Sequence, residues 1–144
     1  MSVKRVFPAV PEGASALRDW SRYLTGLFFS REFETTLVGC ATAPTGVIRY
    51  TVSAGIVCMS IPGLIAVSDS VNAYLDGLPD EITPEHDQQC LARIIDNGVT
   101  GMGIVMVGID TGITLFKDLD ATVGGFTASG DKGTRYSIIT YPLD

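Results

Sequence analysis

At 144 residues the chain has room for one core but not for a core plus a separate catalytic domain. Its residues are 46% hydrophobic and only 18% charged, so few charges remain to coat a free surface and part of the apolar excess is expected to face another chain. Residues 1–33 carry Lys4, Arg5, Arg18, Arg22 and Arg31 against Glu12, Asp19 and Glu32, whereas the rest is strongly acidic, a balance that repels phosphates and argues against nucleic-acid binding.

The chain begins with MSVKRVFPAVPEG, where Pro8 and Pro11 fix φ and remove donors, so residues 1–13 are expected to form an extended arm. Lys4, Arg5, Phe7, Pro8 and Val10 are its candidate anchoring residues, suited to docking on a separate protein surface. No apolar h-region follows the basic residues, which predicts synthesis in the cytoplasm without a secretory signal. No apolar run reaches the roughly 18 residues that a membrane span requires.

A helix is predicted over residues 14–30. Leu17, Trp20, Leu24 and Leu27 fall three, four and three apart, the seam of a short coiled coil. Two heptads are marginal in isolation, so this helix must lean on its own domain or on copies of itself around a three-fold axis.

From Phe33 the period changes to that of strands, and residues 33–144 are predicted to form one β-domain. FETTLVGC, TGVIRYTV, GIVCMSI, VNAYLDG, QQCLARIID, GVTGMGIVMVGI, GITLFKD and TRYSIITYPL make about eight candidate strands. Short turn-rich segments between them and the lack of a second helix predict a mainly β fold, an antiparallel sandwich or jelly roll. Asp110-Thr111-Gly112 reads as a hairpin loop whose Gly supplies positive φ. GIVCMSI and GIVMVGI are apolar on both faces, which suggests burial against a neighbouring subunit. LPDEITPEHD, with two prolines and four acids, reads as an exposed connection, and the apolar alternation of TRYSIITYPLD suggests a central strand.

Candidate chemistry is sparse. Cys40, Cys58 and Cys90 are odd in number and sit in strand-like runs, as buried free thiols would. His86 is the single histidine, and Asp118 and Asp120 lack the further oxygen ligands that calcium needs. No catalytic or metal-ligating set is assigned, no cofactor is expected, and the chain is read as a non-enzyme.

Three segments also carry a resemblance. SIPGLIAVSDSVNAYLDGLPDEITP has a strand ending in S-I-P, a Ser- and Asn-containing loop, an L-x-G-L-P turn and an I-x-P step. IIDNGVTGMGIVMVGIDTGITLFKD has a D-N-G hairpin closed by a Phe-ended strand, and FTASGDKGTRYSIITYPLD has F-T-A-S-G-x-K-G before a terminal aromatic strand. In this order they resemble modules of tailed-bacteriophage virion proteins over residues 46–144, departing from the pattern at Asp69, where Asn is usual, and in the cysteine-bearing strand QQCLARIID. The resemblance implies a trimeric β-domain on the virion, as in head fibres, capsid decoration (cement) proteins and tail-fibre tips. The expected partners are two further copies of the chain and the major capsid protein or another virion protein, bound through the arm. Too short a shaft precedes the domain for a tail fibre, which favours the capsid exterior. The alternative is a tail-fibre tip that recognises a host surface glycan.

Overall fold

The computed structural model describes residues 13–120 and 125–144. Helix α1 (Ala14–Leu27) leads directly into β1 (Phe28–Val38). Nine more strands follow: β2 (Thr45–Ser53), β3 (Ile56–Ile61), β4 (Ile65–Val67), β5 (Tyr74–Leu75), β6 (Gln88–Asp96), β7 (Val99–Gly108), β8 (Gly112–Phe116), β9 (Asp131–Thr134) and β10 (Ser137–Pro142). The fold is mainly β and antiparallel, as the sequence predicts. Its strands form one continuous ladder in the order β10-β3-β2-β1-β5-β8-β7-β6-β9-β4.

The long strand β1 lets this ladder curl into a sandwich-like half-barrel. Residues Phe28 to Thr36 pair with β2, whereas Leu37 and Val38 pair with β5 on the other side, so the chain passes from one half of the sheet to the other within a single strand. Between the halves lies the core, with Ile48, Val57, Met59 and Ile61 from one side and Leu75, Ile94, Val105, Val107 and Ile113 from the other. Each such side chain contributes about 1.5–3 kcal/mol when taken from water. The curl brings β10 back over β6, where the Arg135 amide donates to Arg93 O (2.9 Å) and the Arg93 amide to Ser137 Oγ (3.0 Å).

Local turn chemistry sets the hairpins. Ala54-Gly55 (φ 50° and 84°) joins β2 to β3 and Asn97-Gly98 (φ 48° and 75°) joins β6 to β7, both two-residue turns with positive φ at each centre. Gly112 closes the β7–β8 loop at φ 65°, as its sequence predicts.

Several expectations are corrected. The helix stops at Leu27, not residue 30, because FFSREFE finds a partner in β2 with Phe28 opposite Ser53, so the β-domain starts at Phe28 instead of Phe33. β4 and β9 lie in segments read as loops. They are three and four residues long, and DKGT has no apolar period, so only their pairing with each other and with β6 makes them strands. β10 pairs with β3 alone and is an edge, not a central strand.

In β3, Val57, Met59 and Ile61 are buried while Ile56 and Cys58 are exposed, so its second face is open. β7 does bury both faces near Ile104 and Val105, but its own chain achieves this without a second subunit. The acidic connection after β5 is anchored: Ile82, in the short 3-10 helix Asp80–Ile82, is fully buried and its carbonyl accepts the Tyr141 hydroxyl at 2.8 Å. The cysteines are free, as expected, but Cys58 is exposed and the other two only half-buried.

Candidate functional site

The three resembling segments meet at one end of the sandwich. Lys132, from FTASGDKG, is completely buried, and its Nζ donates to Ser70 O and Asn72 O, each at 2.7 Å, and lies 5.4 Å from the Phe126 ring centre. The Ser68 hydroxyl donates to Thr127 O (2.7 Å), and the Ser68 amide to Gly130 O (2.8 Å). Asp96, from IIDNG, accepts the Thr127 amide at 2.8 Å and the Thr127 hydroxyl at 3.0 Å. The Gly98 amide donates to Asp131 O (2.9 Å), tying the D-N-G turn to β9.

Nearly every polar group here is spent on another segment of the same chain. Burial pushes the Lys132 ammonium below the usual lysine range, with Cys40, Asp69 and Asp96 opposing this. The cluster interlocks three loops of the chain. Asp118 accepts the Asp120 amide at 3.1 Å in a local turn, and His86 is exposed. No group of three or more His, Cys, Asp or Glu among the described residues is placed to hold a metal ion. No helix among them is long and apolar enough to cross a membrane.

A second cluster fastens the opposite region. Glu81 accepts the Tyr50 hydroxyl and pairs with Arg31, whose guanidinium stacks 4.8 Å from the centre of the Phe29 ring. Burial first, then the Glu81 carboxylate, push Tyr50 up to about 12. Because the folded value exceeds the ordinary value of 10.0, the folded state holds this proton more tightly. The corresponding stability is complete below pH 10.0 and is lost as the pH rises towards about 12. Melting temperatures measured over that range should fall, and Tyr50→Phe should flatten the decline; equal slopes in the two proteins would contradict the assignment.

The open face of the sheet offers the other feature. Glu32, Arg49, Ser60 and Ile138 stand in one row across β1, β2, β3 and β10, and Ser30, Thr51, Cys58 and Thr140 in the next. Their strand neighbours Tyr50, Met59 and Ile139 point into the core, so both rows face outward. An open groove of about 620 Å³ runs over this face, with Tyr136 at one side. Arg49 Nε lies 3.3 Å from Glu32 Oε2, with side chains 79% and 61% exposed.

The sequence places Tyr136 in a strand, where an aromatic would be covered. It lies instead in the linker between β9 and β10 and is 63% exposed. Its parity with Ile138 and Thr140 is the available signal, but alternation alone does not say which parity faces the core.

Of the predicted seam, Leu17 is 48% exposed while Trp20 and Leu24 are half-buried; the Leu27 side chain lies outside the described residues. The Trp20 indole N–H is sealed from solvent with no acceptor among the described residues. α1 meets the sandwich at β1. Its Gly13 cap supplies no side-chain bond, and it has no acid in its first turn or base in its last, so packing must stabilise it. The predicted arm residues Lys4, Arg5, Phe7, Pro8 and Val10 lie outside the described residues.

No family model and no curated protein matches the sequence. Among solved structures, the chain is similar to a reovirus attachment protein, sigma1, determined in complex with alpha-2,3-sialyllactose, with a TM-score of 0.45 and 11% identity. The similarity covers 79% of this chain and 64% of that one, so this chain spans less than two thirds of its neighbour's length.

Proposed function

We propose that this chain is a non-enzymatic structural protein of a bacteriophage virion, displayed on the capsid exterior as a homotrimeric decoration or head-fibre protein. The observation that carries this reading is the interlock around Lys132. The segments that resemble phage virion modules are the ones that fasten this sandwich, so the shared feature is a way of closing a β-domain and not a reaction site.

The helix supports self-association. An uncapped helix of 14 residues with Leu17 exposed gains most from copies of itself around an axis. Leu24→Asp should dissociate the trimer, because a charge buried in such a seam has no partner. Light scattering should then show a 15.3 kDa species for the variant, and the same species for the unaltered chain at micromolar concentration would overturn the trimer.

Mass spectrometry and electron microscopy of purified virions test the location. The chain should be present on the capsid surface, and a form lacking residues 2–12 should fold and trimerise yet fail to decorate particles. Absence of the intact chain from virions overturns the reading; unchanged occupancy by the shortened form removes the arm as anchor. The exposed Tyr136 favours one second reading, a tail-fibre tip that holds a host glycan.

A further inference from the structure

We propose that the open face of the β10-β3-β2-β1 half of the sheet binds a neutral saccharide, with Tyr136 as stacking platform and Glu32 and Arg49 as the hydroxyl-binding pair. This deepens the virion-surface reading and rests on it for biological purpose, although binding itself is measurable without it.

The dimensions fit. Neighbouring strands stand about 4.8 Å apart, so the row from Glu32 to Ile138 spans about 14 Å. With a volume of about 620 Å³, the groove falls in the range of small-ligand sites and suits a mono- or disaccharide.

The chemistry fits as well. A sugar ring presents an apolar C–H face and a rim of hydroxyls that both donate and accept. The aromatic ring of Tyr136 and the Ile138 side chain supply apolar surface at one end. Glu32 and Arg49 supply an acceptor and a donor side by side at the other, and the single contact between them, at 3.3 Å, leaves most of their hydrogen-bonding capacity unused. The Thr51 hydroxyl lies in the next row.

Charge decides the class of sugar. Arg49 is balanced by Glu32, and Arg31, whose backbone borders the groove, stands opposite Tyr50 with its side chain on the other face, where Glu81 balances it. No surplus cation remains among the groove's described residues to select a carboxylated or phosphorylated ligand.

The same pair disfavours a second copy of the chain as occupant. Interface cores are depleted of charged residues, and sealing Glu32 and Arg49 under an apolar surface would cost their hydration. A saccharide replaces that water with hydroxyls.

The platform is also rigid. Bonds from the Arg135 amide to Arg93 O (2.9 Å) and from the Arg93 amide to Ser137 Oγ (3.0 Å) stitch the residues on either side of Tyr136 to β6. Little ordering cost falls on binding.

Titration of the isotopically labelled full chain with lactose, maltose, cellobiose and chitobiose, followed by NMR, tests the proposal. At least one should bind in the millimolar range, with shifts centred on Tyr136, Ile138, Arg49 and Thr51. Tyr136→Ala should weaken it about tenfold without moving the melting temperature, as loss of one aromatic stack implies. Tyr74→Ala, which changes an exposed tyrosine outside the groove, should bind like the unaltered chain.

Absence of shifts with all four sugars, shifts elsewhere, or tighter binding of galacturonic acid would overturn the proposal. So would loss of the oligomer in Ile138→Asp, which would assign the face to subunit packing. A chain found on virions that binds no saccharide defeats only this inference; one that binds saccharide but is absent from virions defeats only the functional reading.

Discussion

Replacing Lys132 with methionine is expected to destabilise the domain by about 3 kcal/mol, lowering its melting temperature by roughly 10 °C. Methionine fills much of the same space, so the loss comes from the two carbonyls, Ser70 O and Asn72 O, that Nζ bonds at 2.7 Å. Each buried acceptor left unpaired costs about 1–3 kcal/mol, and of the two only Ser70 O keeps another donor within reach, the Ser68 hydroxyl at 3.0 Å. Relief of the burial cost that depresses the lysine's pKa offsets part of this, which is why the expected loss stays below the sum of the two. Chemical denaturation would check it. A variant with an unchanged midpoint would show that the interlock holds without its central amine, and would remove the observation on which the functional reading rests.

Gly133→Ala should be more damaging, by about 4 kcal/mol or more. Gly133 lies opposite Ile65 in the β4–β9 pairing. A Cβ there would overlap the Leu64 carbonyl oxygen and stand 2.9 Å from Leu64 C and 3.0 Å from Ile65 Cα. All three are backbone atoms at the partner strand, so no rotamer change relieves the clash. The strands must separate, with loss of the bond from the Thr134 amide to Leu64 O at 2.9 Å. Gly101, which has open space where a Cβ would stand, is the control, and its alanine variant should stay within about 1 kcal/mol of the original. Equal melting of the two variants would show that β4 is dispensable to the fold.

These residues also mark where sequence reasoning stops. FTASGDKG stands out by resemblance, yet in the chain itself a lysine among Gly and Asp reads as a solvated loop. Its burial depends on Ser70 and Asn72, which stand 62 and 60 residues away. β4 and β9 escape a sequence reading for the same reason, since short segments without apolar alternation become strands only when distant partners offer hydrogen bonds. The exposure of Tyr136 has its own cause. TRYSIITYPLD carries bulk at both parities, and the curl of the sheet decides which parity meets the core.

What the sequence determined by itself was local: the helix from its three-four-three spacing, the antiparallel β class from short apolar runs, and two hairpins from Asn-Gly and Thr-Gly steps whose backbone preferences act over a few residues. The tertiary structure decided the ladder order, the passage of β1 from one half of the sheet to the other, the loop interlock around Lys132 and the outward face bearing Tyr136, Arg49 and Glu32. Each of these depends on pairings between residues far apart in the chain, where the choice among partners is made by burial and hydrogen-bond satisfaction of the whole and not by the preference of any one segment.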